Sequence, residues 1–239
     1  MSPLRRTALA AGVLYLLTFV SIPILGLYAT VLDPESTVGA GTATAVAWGG
    51  VLEMVVALAC IGTAVVLYPL VKRQNEALAL GFVGVRVLEA ATIVAGIVVI
   101  MTLVTVRQAE PDPQVQATGA ALIALHDWTF LTGQGFLPAV NALLVGPLLY
   151  QSRLVPRVLP VLGFIGALLL AITFVATMFG FWAQVSSASA LLTIPIALWE
   201  LSLGIWLIVK GFQPSPITAG LAADPASGSG VPVHSGQSG

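Results

Sequence analysis

Charged residues are scarce in this chain, and their scarcity indicates the class of protein. Asp, Glu, Lys and Arg make up 8% of the sequence and hydrophobic residues 58%, whereas soluble domains contain about 25% charged residues. Because this number of charges cannot cover a water-facing surface, most of the surface must face lipid. The net charge is −1, which gives no overall attraction for nucleic acid, and we expect none as a partner.

Cysteine and histidine are almost absent as well. The single cysteine, Cys60, excludes an internal disulfide and a cysteine-rich metal site. Only one histidine, His126, lies near an apolar run, which excludes bis-histidine haem ligation within one chain. The sequence also lacks the motifs of zinc proteases and nucleotide-binding loops. We therefore expect no metal and no cofactor.

The chain contains instead six long apolar runs. They cover residues 8–32, 45–71, 78–106, 120–150, 155–183 and 188–210. Each is long enough for a transmembrane helix, which needs about 20 residues, and none alternates as a membrane β-strand does. The sequence predicts an all-α fold, a polytopic bundle of six transmembrane helices. In the fourth run, Gly133 and Pro138 predict a kink.

The basic residues predict the orientation. With a cytoplasmic N-terminus, seven of the nine Lys and Arg residues fall inside, Arg107 falls outside, and Arg86 lies within the membrane. Because basic residues concentrate in cytoplasmic loops, we predict a multi-pass cell-membrane protein with both termini cytoplasmic. Tyr28 and Trp128 are expected in the aromatic belt at the outer interface.

The composition changes after residue 212. Residues 213–239 are rich in Pro, Gly, Ser and Ala and contain few large apolar side chains. Such a segment buries too little apolar surface to offset its loss of chain entropy. We expect a transmembrane domain over residues 1–212 and a disordered cytoplasmic tail over residues 213–239.

Four polar residues are predicted at one depth inside the membrane: Arg86, Glu89, Asn141 and Glu200. At 1.5 Å per residue from the inner helix ends, they lie about 14–18 Å deep in a bilayer about 30 Å thick. A charge there is unfavourable by roughly 2.5–3.5 kcal/mol. Arg86 and Glu89 share a helix face, and a guanidinium can bind two carboxylates and an amide oxygen together. We therefore predict a network centred on Arg86.

This network has two interpretations, and both stay open. It is either a structural clasp between helices or a substrate, ion or proton site. Glu53 is a separate candidate, because it lies nearer the outer third of the second run. We expect it to be an interfacial polar residue with access to water, which reaches His126 or Asp127; a role in gating or ligand binding is the alternative.

Three segments resemble a known family. They are residues 81–91 (Gly-Phe-Val-Gly-Val-Arg-Val-Leu-Glu-Ala-Ala), 149–157 (Leu-Tyr-Gln-Ser-Arg-Leu-Val-Pro-Arg), and the stretch from Trp199-Glu200-Leu201 to Lys210-Gly211-Phe212. Together they resemble the domain-of-unknown-function 4386 family over roughly residues 7–212. The resemblance implies a small bacterial six-helix membrane protein, and it implies no activity because the family has none assigned. Arg86, Glu89 and Glu200 all fall within these segments.

Three functions remain as hypotheses. A small transporter or permease-like protein fits the buried polar network and the bent fourth helix. A structural or regulatory membrane partner fits the lack of catalytic motifs. A lipid- or isoprenoid-modifying enzyme would need acid–base groups such as Glu53, Glu89 or His126 beside a cleft open to lipid. We favour a protein that is not an enzyme, with the lipid bilayer and a second copy in a homo-oligomer as expected partners.

Overall fold

A computed structural model describes residues 1–34, 36, 38–109 and 112–219. This part of the chain is helical, and no β-strand occurs within it. Short 3₁₀ turns lie at Thr18–Ser21 and Pro216–Thr218. The α-helices are α1 (Pro3–Leu17), α2 (Ile22–Leu32), α3 (Ala40–Val71), α4 (Glu76–Arg107), α5 (Pro113–Gly133), α6 (Leu137–Ser152), α7 (Val158–Met178) and α8 (Ser187–Val209).

Six segments of the described chain are long and apolar enough to cross a membrane. They are Pro3–Leu32, Ala40–Val71, Glu76–Arg107, Pro113–Ser152, Val158–Met178 and Ser187–Val209. Their number and order match the six apolar runs, so the predicted all-α membrane fold is confirmed. The first span consists of α1 and α2, and the fourth of α5 and α6, because each is interrupted in its middle.

The spans form a closed ring in chain order. Each span packs against the next one in sequence, and α1 packs against α8 to close the ring. The N-terminal residues and the segment after α8 lie at the same end of the bundle, which we call the terminal face. The other end, where α2 ends and α8 begins, is the opposite face. Tyr15, Phe82 and Trp199 belong to the main hydrophobic core.

The line along which the first and sixth spans meet, which we call the seam, is tightly packed over only half of its length. Gly12 of α1 faces Gly204 of α8, and a Cβ on Gly12 would lie 2.7 Å from the Gly204 carbonyl oxygen. Small residues permit such close approach of membrane helices. On the opposite-face half, α2 packs against α3 and is not closely packed against α8. Within the first span, α1 makes the close contact with α8.

The segment after α8 folds back onto the terminal face. The Gln213 amide donates to the Leu154 carbonyl at 2.8 Å, and the Ser215 hydroxyl donates to the Ser152 carbonyl at 2.5 Å. Residues 213–219 therefore pack on the bundle, although the composition predicts that the tail begins at Gln213. Residues 220–239 lie outside the described residues, so the disorder of that part stays a prediction.

Candidate functional site

The four polar side chains predicted at one depth meet inside the ring; we call Arg86, Glu89, Asn141 and Glu200 the charged cluster. Arg86 Nη1 lies 3.1 Å from Glu89 Oε2 on the same helix. Arg86 Nη2 lies 3.2 Å from Glu200 Oε1 on α8. The Asn141 amide of α6 donates to Glu89 Oε2 at 2.6 Å. The cluster thus joins the third, fourth and sixth spans.

Aromatic rings and a thiol complete the surroundings of Arg86, which is 1% exposed. The guanidinium carbon lies 5.4 Å from the Tyr15 ring centroid and 5.8 Å from that of Phe82. Cations are stabilised over aromatic faces at such distances. Arg86 Nη1 also donates to Cys60 Sγ at 3.5 Å. The arginine therefore faces the bundle interior and not the lipid.

The cluster is unbalanced in charge and in exposure. With both carboxyls ionised, one guanidinium faces two carboxylates, which leaves one net negative charge. The Glu89 side chain is 6% exposed, whereas that of Glu200 is 14% exposed. Glu89 receives hydrogen bonds from Arg86 and Asn141, but Glu200 receives one, at Oε1, from the residues that the structure describes. Glu200 is therefore the most exposed member of the charged cluster.

Both interruptions in the spans lie beside this cluster. In the first span the helix tightens into the 3₁₀ turn Thr18–Ser21, and Pro23 occupies the first turn of α2. Proline suits that position because its missing N–H would have no helical partner there. In the fourth span α5 ends at Gly133 and α6 starts at Leu137. The predicted kink is thus a full break of the helix.

A cavity of about 230 Å³, which we call the central cavity, reaches the charged cluster. Arg86, Glu89 and Glu200 line it together with Cys60. Both interrupted spans also contribute to its wall, through Thr18, Phe19 and Ser21 in the first and Gln134 and Pro138 in the fourth. The buried charges, the cavity, the break in the fourth span and the 3₁₀ turn in the first span therefore occupy one place.

A second space continues the central cavity toward the opposite face. It measures about 270 Å³ and lies between Leu25 of α2 and Ile194 of α8. The two spaces share Thr193 and Ala197 as lining residues. We call this space the lateral groove, because it follows the seam along which α2 and α8 are not closely packed.

Glu53 lies apart from the charged cluster and is 4% exposed. The Tyr28 hydroxyl donates to Glu53 Oε2 at 2.9 Å, and the Gln134 amide donates to Oε1 at 3.3 Å. His126, which the sequence suggests as a partner, packs its ring edge-to-face on Tyr28 with centroids 5.9 Å apart. Gln134 also lines the central cavity, so one side chain connects the two polar sites.

Several buried polar atoms near the cluster have no hydrogen-bond partner among the residues that the structure describes. They include Tyr15 Oη, Arg86 Nε and Asn141 Oδ1. Buried polar groups are nearly always paired, and an unpaired one is unfavourable by about 1–3 kcal/mol. No group of three or more His, Cys, Asp or Glu residues could hold a metal ion within the described part of the chain. The unpaired Tyr15, Arg86 and Asn141 atoms are groups to which a polar ligand could form hydrogen bonds.

The comparison with protein families identifies the chain. The family described as "Domain of unknown function (DUF4386)" matches residues 10–211, which includes every residue of the charged cluster. The chain belongs to the DUF4386 family. No match is found among the curated proteins or among the solved structures.

In this DUF4386 protein, sequence reasoning missed the residues that complete the two polar sites. Tyr28 is predicted at the outer interface, yet it is 3% exposed and bound to Glu53. Neither Tyr15 nor Cys60 is predicted from the sequence to contact Arg86, although both do. One signal for Tyr28 is Gly49, where a Cβ would lie 2.2 Å from the Tyr28 ring. That signal becomes visible only when α2 and α3 are placed side by side.

Proposed function

We propose that this DUF4386 protein is a small permease-like carrier of the cell membrane, with both termini cytoplasmic. Its substrate site is the central cavity beside Arg86, Glu89 and Glu200. The observation that carries the proposal is the meeting of buried charge, a cavity, the break in the fourth span and the 3₁₀ turn in the first span at one place.

Helix breaks are a feature of membrane carriers. In many transporters, substrates bind near the bilayer midplane where transmembrane helices are discontinuous. Non-helical backbone at that depth is tolerated where it is buried in protein or lines a cavity. Here Gln134 from the break in the fourth span, together with Thr18 and Ser21 from the 3₁₀ turn in the first span, lines the cavity that reaches Arg86. The same breaks provide joints about which the halves of a span can move.

A lipid-modifying enzyme is the second candidate, because the lateral groove opens beside the membrane interior. The contacts of Glu89 and Glu200 disfavour it, since Arg86 already occupies an oxygen of each carboxylate, whereas a general base needs a free oxygen within reach of the substrate proton. Mass spectrometry of lipids extracted from proteoliposomes distinguishes the two candidates. An enzyme yields new lipid species that an Arg86→Met variant does not, whereas a carrier yields none.

The single cysteine of the chain provides a test of the carrier. Cys60 lines the central cavity and is 1% exposed, so a water-soluble reagent reaches it only when the cavity opens. The charged reagent trimethylammonioethyl methanethiosulfonate does not cross membranes. We expect it to modify Cys60 in right-side-out vesicles and, in a separate preparation, in inverted vesicles.

Cys60→Ser is the control for unspecific labelling, and denatured wild-type protein gives the full signal. Modification from both sides of the membrane supports a cavity that opens alternately to each side. The carrier proposal is wrong if intact vesicles of both orientations remain unlabelled during a long incubation while denatured protein reacts. A permanently closed clasp then explains the cluster.

A further inference from the structure

The lateral groove and the charge of the cluster together indicate a class of substrate. We infer that the site takes an amphiphile with one cationic head group, which enters sideways from the membrane between α2 and α8. This inference rests on the proposed carrier function and adds the chemistry and the route of its substrate.

The route follows from how the first span meets the last. Along α1 the seam is closed, because Gly12 and Gly204 bring the two backbones together. Beyond the break at Thr18–Ser21 the seam opens, since α2 packs against α3. The lateral groove occupies this opening and continues into the central cavity at Thr193 and Ala197.

The walls of this route change from apolar to charged. Leu25 and Ile194 line the lateral groove, and Ile22 lines the central cavity at its border; all three are exposed on the membrane-facing surface. A small ion would lose its hydration along such walls, whereas an alkyl tail gains apolar contact there. The deep end holds Arg86, Glu89 and Glu200. The arrangement therefore fits a molecule with a tail and a polar head.

The sign of the head group follows from the charge of the cluster. With both carboxyls ionised, two carboxylates and one guanidinium leave one negative charge, and Glu200 is the more exposed carboxylate with one oxygen bound to Arg86. An ammonium group beside Glu200 would balance the cluster. An anionic head group would meet an uncompensated carboxylate, and its attraction to Arg86 is opposed because both Nη atoms already bind Glu89 and Glu200.

Three probes with the same tail test the sign: n-octyltrimethylammonium, n-octanol and n-octyl sulfate. Each is added to the full-length protein in proteoliposomes below its micelle-forming concentration, and the probes are compared at equal membrane-bound amounts. The readout is the rate at which neutral methyl methanethiosulfonate modifies Cys60, which lines the central cavity. We expect the ammonium probe to slow modification roughly tenfold more than the other two, as the attraction between one trimethylammonium group and one carboxylate implies.

Variants then test the residue and the route. Glu200→Gln removes the uncompensated charge and should abolish most of the protection by the ammonium probe. Glu76→Gln removes an exposed carboxylate at the start of α4 and should leave protection unchanged. Ala197→Phe narrows the junction of groove and cavity and should slow the onset of protection. Leu168→Phe, at a lipid-exposed position of α7, is its matched control.

The comparison of the three probes uses the wild-type protein, so it does not depend on whether any variant folds. Equal protection by all three, or stronger protection by the sulfate, overturns the cationic substrate. Unchanged protection in Glu200→Gln does so as well, and an unchanged onset in Ala197→Phe overturns the lateral route. Labelling of Cys60 from both sides of the membrane would still support the carrier in these cases, so the two proposals fail separately.

Discussion

Replacing Arg86 with Met removes the one cation from a buried group of charges. The substitution leaves an apolar side chain of similar length between α1, α3 and α8. Glu89 and Glu200 then lose the partners that Arg86 provides at 3.1 and 3.2 Å. Glu89 keeps the Asn141 amide at 2.6 Å, whereas Glu200 keeps no partner among the described residues.

The expected loss of stability follows from these contacts. Removing one partner of a buried ion pair destabilises a protein by about 3–5 kcal/mol, because the other charge is left uncompensated. Two charges are uncompensated here, but Asn141 stabilises one and the other borders the central cavity. We therefore expect a loss near the lower limit, about 3 kcal/mol, from a folding free energy of about 5–15 kcal/mol.

Unfolding in mixed micelles with increasing dodecyl sulfate, followed by tryptophan fluorescence, measures this loss. Arg6→Met, at an exposed position near the N-terminus, is the matched control and should change stability by no more than about 0.5 kcal/mol. A triple variant with Arg86→Met, Glu89→Gln and Glu200→Gln removes every charge of the cluster and should recover most of the loss. If Arg86→Met alone is as stable as the wild type, the ion pairs do not hold the bundle together.

Three further substitutions give direct tests. Tyr28→Phe removes the 2.9 Å hydrogen bond to Glu53 and should lower the free energy of unfolding by about 1–3 kcal/mol in the same micelle assay; no change would mean that water replaces the hydroxyl. Gly12→Leu places a side chain against Gly204 and should lower the free energy of unfolding by about 1–3 kcal/mol; an unchanged value would mean that α1 and α8 are not closely packed. Arg107→Ala removes two 2.8 Å bonds to the Val31 and Asp33 carbonyls and should speed hydrogen exchange at the end of α2; unchanged exchange would contradict its capping role.

The fold could be predicted from the sequence because hydrocarbon thickness imposes a length on each apolar run. A run of apolar residues, however, does not reveal whether its helix is continuous. Gly133 and Pro138 indicate the break in the fourth span, since both weaken a helix. The turn at Thr18–Ser21 has no comparable signal, because Pro23 can also sit inside a bent helix.

The candidate site could be predicted only in part. A charge inside the membrane needs a partner at the same depth, and counting residues along two helices brings Arg86, Glu89 and Glu200 to one level. The partners of Glu53 could not be found in this way, because Tyr28 and Gln134 contact it from other spans. Counting depth along a helix gives the level of a residue but not the direction in which its side chain points.

The choice between a clasp and a binding site depends on the difference between the two carboxylates. A clasp is most stable when every charge is enclosed and fully hydrogen-bonded, and Glu89 meets that description. Glu200 does not, since it is bound through one oxygen and borders a cavity that continues to the lipid-facing seam. A structural role for Arg86 and Glu89 leaves this opening without an explanation. A ligand that binds Glu200 explains the cavity, the spare negative charge and the open seam together.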